Sequence, residues 1–321
     1  MGTFIMIIRI ALILFFIIKF SIYPNSIDLW EYVENNDIIN LVKQIRAGGD
    51  VNKEYANGYT LLMLASEYGY TDVAKVLLYY GADVNTLNKF RNNALMVAAA
   101  EGNVETIGVL LSRGANINAR NSDGATPLIL ATVNGRTEAV KFLLQYGANA
   151  NYKNNYGDTA LLIASMRRYI DIIALLLNYG ADINIQDTKG KNALLYATEF
   201  GDTELVRTLV RINKGNVNSK DLEYDTALLK ACRNGYTDIV KILISSGAYI
   251  DDQDADGNTP LMLAANGGYV DIVEALIYAN ADINIKNDDG ETAFSLAYWN
   301  TRIRNMLLQA GFRDKTPYLY D

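Results

Sequence analysis

Apolar positions along most of the chain repeat with a period of 33 residues. Each period holds a short apolar run that follows a Thr or Asn, such as Leu128 to Ala131, and a second run with paired leucines, such as Leu143-Leu144. A polar position keeps the same period, with Asn52, Asn85, Asn118, Asn151, Asn184, Asn218 and Asn284, and Asp251 in the remaining place. This regularity over eight units predicts a solenoid, in which each unit buries its apolar face against its neighbours.

Each unit is expected to form two helices. Thr126 is a helix N-cap, and Pro127 occupies the first helical turn, where its missing N–H costs nothing. A glycine such as Gly135 then allows a left-handed break. The second helix begins with an acid near its positive end, as at Glu138, and ends at a glycine such as Gly147. The stretch that joins two units, for example 118–124, is typical of a tight hairpin turn.

These residues resemble the ankyrin repeat family over about residues 26 to 312. The shared motif is D/N-x-x-G-x-T-P/A-L…A-x-x-G…V-x-x-L-L-x-x-G-A-x-x-N. The resemblance implies an all-α repeat solenoid of stacked helix-turn-helix units, joined by β-hairpin-like turns, with a concave face made by the turns and first helices. The family usually carries a histidine after Thr-Pro-Leu, and apolar packing is expected in its place here. Those positions hold Met63, Met96, Ile129, Leu162, Leu195, Leu229, Met262 and Ser295.

The same reasoning sets the domain boundaries. We expect N-terminal capping helices at 24–57, repeats at 58–289, a C-terminal capping repeat at 290–312 and a tail at 313–321. Polar terminal units are needed to keep a solenoid soluble.

Residues 1–23 differ from the rest of the chain. Arg9 precedes nine apolar residues, Ile10 to Ile18, and Lys19 follows them. This pattern fits an export signal, although no pair of small residues marks a cleavage site. A span from Phe4 to Tyr23 would be long enough for a membrane anchor if the two flanking bases snorkel. Export with cleavage and membrane anchoring both stay open, so the protein is expected to be periplasmic, secreted or membrane-tethered.

Composition excludes several kinds of chemistry. The chain contains no histidine and one cysteine, Cys232, so it has no histidine base, no internal disulfide and no Cys-rich zinc site. A net charge of −7 argues against nucleic-acid binding. Asp252, Asp254 and Asp256 match the start of a calcium loop, but the twelfth position is Leu263 instead of the required glutamate. We expect no cofactor and no metal site, and a monomer.

Charge along the predicted turns changes sign. The first five turns, from 52–59 to 184–191, carry seven bases and four acids, whereas the last three, from 218–225 to 284–291, carry two bases and ten acids. Such a gradient would orient a protein partner with a basic patch and speed its encounter.

Aromatic and arginine side chains at turn tips and first-helix ends are the candidate contacts, because such residues anchor most interfaces. Phe90 and Tyr156 are favoured, since a turn tip has little core to fill. Trp299 is expected to pack within the terminal unit. Arg168 replaces the usual inter-helix glycine, and with its neighbour Arg167 it could form a contact point in the middle of the concave face. The predicted partner-binding residues are Tyr68, Phe90, Arg91, Tyr156, Arg167, Phe200, Tyr224, Arg233, Asp254 and Asp256.

The leading functional prediction is a non-catalytic scaffold that binds a protein partner on the concave face. An inhibitory protein that masks an envelope effector or toxin is an alternative that differs only in the partner. A remote alternative is a hydrolase that uses an acid pair among the late turns, although the acids of these turns, at 218–225, 251–258 and 284–291, are expected to face solvent. Loss of an activity on mutating Asp254 and Asp256 would support this alternative.

Overall fold

A computed structural model describes residues 28–212 and 217–311 of the chain. The predictions for residues 1–23 and for the tail at 313–321 lie outside these residues. No helix within 28–212 and 217–311 combines the length and the apolar character needed to cross a bilayer.

The chain divides into two compact units. Among the described residues, the first covers 28–98 and 105–115, and the second covers 99–104, 116–212 and 217–311. The first contains the helices α1 Trp30–Glu34, α2 Ile38–Arg46, α3 Leu61–Tyr68 and α4 Thr71–Tyr79, with a short 3-10 helix at Ala56–Gly58. Helices α5 Ala94–Glu101 and α6 Val104–Ser112 have residues in both units.

The second unit continues as helix pairs. Within each pair the two helices pack together, and the first helix of each pair also packs on the first helix of the next. The predicted all-α solenoid is therefore confirmed in the described residues. The helices are α7 Pro127–Val133, α8 Thr137–Gln145, α9 Ala160–Arg167, α10 Ile170–Asn178, α11 Ala193–Glu199, α12 Thr203–Ile212, α13 Ala227–Asn234, α14 Thr237–Ser245, α15 Pro260–Gly267, α16 Val270–Tyr278, α17 Ala293–Leu296 and α18 Thr301–Gln309.

The first helix of a pair begins at the predicted cap. The hydroxyl of Thr126 accepts a hydrogen bond from the amide of Ile129, and Pro127 occupies the first turn. In α11, Asn192 takes the threonine's place and accepts from the amide of Leu195. A side-chain acceptor of this kind satisfies one of the amides that a helix N-terminus leaves unpaired.

Apolar packing replaces the family's histidine, as expected. Met63, Met96 and Leu229 have no exposed surface at this position. Ser295 is the exception, because it is exposed and forms a reciprocal capping box with Thr292. Cys232 is fully buried in α13, and burial raises the pKa of its thiol, so it is a core residue.

The periodic asparagine ties each repeat to the next. Asn151 donates from Nδ2 to the carbonyl of Gly180 (3.2 Å), and its Oδ1 accepts from the amide of Asp182 (2.7 Å). Asn218 makes the same two bonds with Gly247 and Tyr249. The side-chain amide thus acts as donor and acceptor at once, which explains why this position recurs with the period of the fold.

Candidate partner-binding surface

The turn between two helix pairs is built by one acidic or amide side chain. Asn154 accepts hydrogen bonds from the amides of Tyr156 and Asp158, and its own amide donates to the carbonyl of Asp158. This turn places Tyr156 at its tip without a strand being formed. In the other turns of the second unit, the side chain that accepts these hydrogen bonds belongs to Asn121, Asp187, Asp221, Asp254 and Asn287.

In the first unit, the structure leaves three of the predicted contact residues at the surface. Tyr68 is exposed at the end of α3 and stacks on Tyr70, with 5.4 Å between ring centroids. Phe90 is exposed at a turn tip, and Arg91 follows it with a left-handed φ of 59°.

In the second unit, the exposed aromatic side chains are Tyr156, Phe200 and Tyr224. Tyr156 is 63% exposed and Tyr224 62% exposed, both at turn tips. Phe200 lies at the end of α11, where its ring stacks on Tyr196. Leu222, which sequence analysis did not select, is 72% exposed in the same turn as Tyr224. The sequence did contain a sign of this exposed residue, because Leu222 is an aliphatic residue in a turn where polar residues predominate.

Neighbouring turns approach closely where glycine follows the tip. The amide of Thr188 donates to the carbonyl of Tyr156, and the amide of Leu222 donates to that of Lys189. A Cβ added to Gly157 or to Gly190 would lie 2.9 Å from the backbone nitrogen of the next turn, closer than real Cβ atoms come. Glycine at this position therefore permits the bond between turns.

Tyr224 breaks this rule. It occupies the glycine position with a left-handed φ of 62°, and in the described chain no equivalent backbone bond joins Glu223 to Ala255. A left-handed backbone is unfavourable for a tyrosine by about 1–2 kcal/mol. Its ring is exposed, so packing in the protein does not offset that cost.

Arg233 bridges the two turns instead. Its Nη2 lies 2.8 Å from Oδ1 of Asp225 and 2.9 Å from Oδ2 of Asp254. Sequence analysis selected Arg233 and Asp254 as separate contacts, and the structure pairs them within the protein.

A buried lysine completes this cluster. Nζ of Lys230 lies 2.9 Å from Asp221 and 3.1 Å from Asp225. Sequence analysis missed Lys230, although a lysine inside a run of apolar helix residues was a visible departure. A buried lysine needs paired acids, and the turn supplies two of them.

The ionisation of the cluster follows from these contacts. Burial alone would raise the pKa of Asp225, but the hydrogen bonds and charge of Arg233, and the charge of Lys230, hold that pKa below its ordinary value. Burial would likewise lower the pKa of Lys230, and the hydrogen bond with Asp221 and the charge of Asp225 raise it. Asp225, Lys230 and Arg233 therefore stay charged at neutral pH.

The structure divides the late acids into two groups. Asp221, Asp225 and Asp254 face Lys230 or Arg233 inside the protein, with side chains at most 5% exposed. The expectation that the late acids all face solvent is therefore wrong for these three, because the turn itself requires acceptors that point inward. The second group is exposed and forms no ion pair within the described residues: Glu223, Asp256, Asp288 and Asp289.

Three carboxylates come together at one place in the described residues. Asp221, Glu223 and Asp225 each have one oxygen within 4.8 Å of the others. Two of these three groups are already in contact with the ammonium of Lys230, which supplies the positive charge that they require. In the segment that matches only the start of a calcium loop, Asp252 and Asp254 are likewise engaged by Lys220 and Arg233.

Arg167 and Arg168 lie at the end of α9 and differ in their contacts. Arg167 is exposed. Arg168 has a left-handed φ of 59°, and its Nε lies 2.9 Å from Oδ2 of Asp202. Trp299 is half-exposed and packs its ring against Gly268.

Comparison with known families agrees with this geometry. A model described as ankyrin repeats (3 copies) matches residues 29–121, 114–187 and 182–254, and one described as ankyrin repeat matches 256–288. The chain belongs to the ankyrin repeat family. Ankyrin repeats are in general protein–protein interaction modules, and such proteins are typically non-catalytic.

Solved structures support the assignment. The ankyrin repeat domain of human ASB11 is 26% identical, with a TM-score of 0.57, and the match covers 69% of this chain and 99% of that domain. An ankyrin repeat domain from Acinetobacter baumannii AYE is 37% identical, with a TM-score of 0.57, and the match covers 59% of this chain and 98% of that one. No curated protein matches the chain.

Proposed function

We propose that this ankyrin repeat protein is a scaffold that binds a protein partner along its turn tips and first-helix ends. The observation that carries this proposal is Tyr224. An exposed aromatic residue held in a left-handed conformation lowers stability and fills no core. Binding a partner is the physical role that such a residue can serve.

The contact surface follows from exposure. Tyr156, Phe200, Tyr224 and Arg167 are exposed in the second unit, and Tyr68, Phe90 and Arg91 are exposed in the first. Asp256 adds an exposed acid at a turn tip. Asp254 is left out of this surface, because its carboxylate is almost fully buried and paired with Arg233. Arg233 contributes the exposed part of its side chain only.

The exposed acids favour a partner with a basic patch. Opposite charges speed the encounter and set its orientation more than they raise affinity. Stopped-flow association at low and high ionic strength tests this point. A rate that does not change with salt would remove electrostatic steering from the proposal while leaving the binding surface in place.

The scaffold is proposed to be exported or tethered through residues 1–23. Support comes from Arg9, the apolar run Ile10 to Ile18, and Lys19. Cell fractionation, with mass spectrometry of the N-terminal peptide of the tagged protein, tests both cleavage and location. Recovery of an uncleaved protein in the soluble cytoplasmic fraction would contradict this part of the proposal.

Crosslinking and affinity capture in cells test the binding function. The full-length tagged protein is compared with a Tyr156→Ala/Tyr224→Ala variant, and with Tyr146→Ala/Tyr179→Ala as the matched control. Tyr146 and Tyr179 are also exposed tyrosines, but they end the second helices α8 and α10. We expect a partner that is lost with the first variant and retained with the control. Capture that is indifferent to the first variant would refute this surface. The captured partner also distinguishes a scaffold from an inhibitor that masks an effector.

A further inference from the structure

The exposed residues of the second unit sort into two neighbouring kinds. Tyr156, Leu222 and Tyr224 form what we call the apolar tips, on the turns at 154–158 and 221–225. Glu223, Asp256, Asp288 and Asp289 form the acidic tips, on the turns at 221–225, 254–258 and 287–291. The turn at 221–225 belongs to both sets, so the apolar set leads directly into the acidic one.

The order of the turns is fixed by contacts in the structure. The turn containing Tyr156 bonds to the turn containing Lys189, which bonds to Leu222. Arg233 then links the turn at 221–225 to Asp254, and the amide of Asp288 donates to the carbonyl of Asp256. Apolar and acidic tips therefore follow one another along a single row of turns.

The negative charge of this row is concentrated on the acidic tips. The internal acids of the same turns are three carboxylates that face two cations, Lys230 and Arg233, so together they add only one net negative charge to the outside field. The acidic tips form no ion pair within the described residues. Lys189 lies exposed on the turn between the two turns that carry the apolar tips. A basic partner segment is therefore attracted to the acidic tips and repelled from Lys189.

We propose that the partner presents a bipartite segment, in which an aromatic or large aliphatic side chain is followed in space by a cluster of Lys or Arg residues. This inference rests on the proposed function and defines the chemistry of the partner. The apolar part contacts the apolar tips, and the basic part contacts the acidic tips.

The spacing of the repeats sets the length of the basic part. Packed helices lie about 8–10 Å apart, so the two steps from the turn at 221–225 to that at 287–291 span about 20 Å. An extended chain covers about 3.3–3.6 Å per residue, so about six residues span the acidic tips. Within these six residues, two or three bases would each face one turn.

Selection from a displayed library of random dodecapeptides on the full-length protein tests this inference. We expect the selected peptides to contain an aromatic or large aliphatic residue next to a window of six with at least two Lys or Arg. A fluorescent copy of the dominant peptide should bind the variant Asp256→Asn/Asp288→Asn/Asp289→Asn about tenfold more weakly, the loss implied by three exposed charge pairs. The control Asp238→Asn/Asp271→Asn/Glu274→Gln removes the same charge from the second helices and should bind within about twofold.

The outcomes separate this inference from the function on which it rests. Selected peptides that lose binding to Tyr156→Ala/Tyr224→Ala but carry no basic cluster would overturn the bipartite partner and keep the surface. Peptides that bind that variant as well as they bind the natural chain would overturn both. Equal weakening by the acidic-tip variant and its control would also overturn the inference, because it would show a general charge effect. Failure to enrich any peptide over the uncoated support would count against it too.

Discussion

Nε of Arg168 lies 2.9 Å from Oδ2 of Asp202, and both residues depart from the pattern of their repeats. At Gly135, Gly201 and Gly235 a glycine occupies the position of Arg168, and the next repeat places a tyrosine ring over it. An added Cβ at Gly135 would lie 3.2 Å from the ring of Tyr169, and Gly201 faces Tyr236 in the same way. An arginine could not fit beneath such a ring. Aspartate in place of the tyrosine provides both the space and the opposite charge.

This relationship predicts non-additive stability effects. Arg168→Gly relieves the left-handed strain of the arginine, which raises the free energy of unfolding by about 1 kcal/mol. The same change removes the ion pair with Asp202, which lowers the free energy of unfolding by up to about 1 kcal/mol. We expect its free energy of unfolding to stay close to that of the natural chain. In an Asp202→Asn background, which keeps an oxygen for the cap on Leu205, the same change should stabilise by about 0.5–1 kcal/mol.

Urea unfolding of the four proteins, followed by circular dichroism, measures the coupling between the two residues. An equal effect of Arg168→Gly in both backgrounds would show that the ion pair contributes nothing to stability.

Tyr224 is predicted to lower the free energy of unfolding while strengthening partner binding. Tyr224→Gly relieves the left-handed strain, and it lets the turn approach its neighbour as Gly190 does. After the entropy cost of a new glycine is subtracted, we expect a gain of about 0.5–1 kcal/mol in the free energy of unfolding. Partner binding should weaken, because the exposed ring is lost.

The matched control for this prediction is Tyr156→Gly. Tyr156 is an exposed tip aromatic of similar size but is not among the residues with positive φ. Its replacement should weaken binding without any gain in stability. Urea unfolding and partner capture on both variants make the comparison, and equal stability changes would refute the strain argument.

Arg233 is predicted to hold the row of turns together where the backbone bond is missing. In Arg233→Met, the nearly buried carboxylates of Asp225 and Asp254 lose their guanidinium. A fully buried pair broken in this way costs about 3–5 kcal/mol, and partial exposure of the arginine reduces our expectation to about 1–2 kcal/mol. Arg167→Met, at an exposed position, should change stability by no more than about 0.5 kcal/mol. Urea unfolding compares the two, and a similar cost for both would show that Arg233 is not a structural bridge.

Sequence periodicity was sufficient to predict the fold and the helix N-caps, because the same local pattern recurs in repeat after repeat. A single repeat already contains the signals for its two helices: Thr126 before Pro127 marks the start of the first helix, and Glu138 marks the start of the second. The position of the aromatic tips followed as well, since a tip has little core to fill.

Pairing between repeats could not be predicted in the same way. Sequence analysis separated Arg233 from Asp254, because residues 21 apart meet only after the repeats have stacked. It also assigned Asp225 to the surface, because a turn acid that points inward looks the same in sequence as one that points outward. The unusual lysine at 230 was the one local clue to the buried cluster.

Acid sensitivity of the protein is predicted to depend on Asp225. Its pKa is lower in the folded chain than the ordinary value of about 3.9, so the unfolded chain binds the proton more readily. The stabilisation is therefore present above about pH 4 and is lost as the pH falls through the folded-state pKa. Urea unfolding of the natural chain and of Asp225→Asn should show a stability difference that narrows as the pH falls from about 5 to about 3. A difference that stays constant over this range would contradict the assignment.

The asparagine that ties repeats together suggests a stabilising substitution at Asp251. Asp251 accepts a hydrogen bond from the amide of Asp282 (3.0 Å), but a carboxylate cannot donate to the carbonyl of residue 280 as Asn151 donates to Gly180. Asp251→Asn would add that donor and remove a negative charge close to Asp282. We expect a gain of about 0.5–1.5 kcal/mol, the usual worth of one hydrogen bond. The reverse change Asn151→Asp loses the donor and should cost a similar amount, which urea unfolding of both variants measures. Unfolding in about 1 M salt, which screens the charges, separates the two contributions: a gain for Asp251→Asn that disappears there would show that charge alone governs this position and that the asparagine donor contributes nothing.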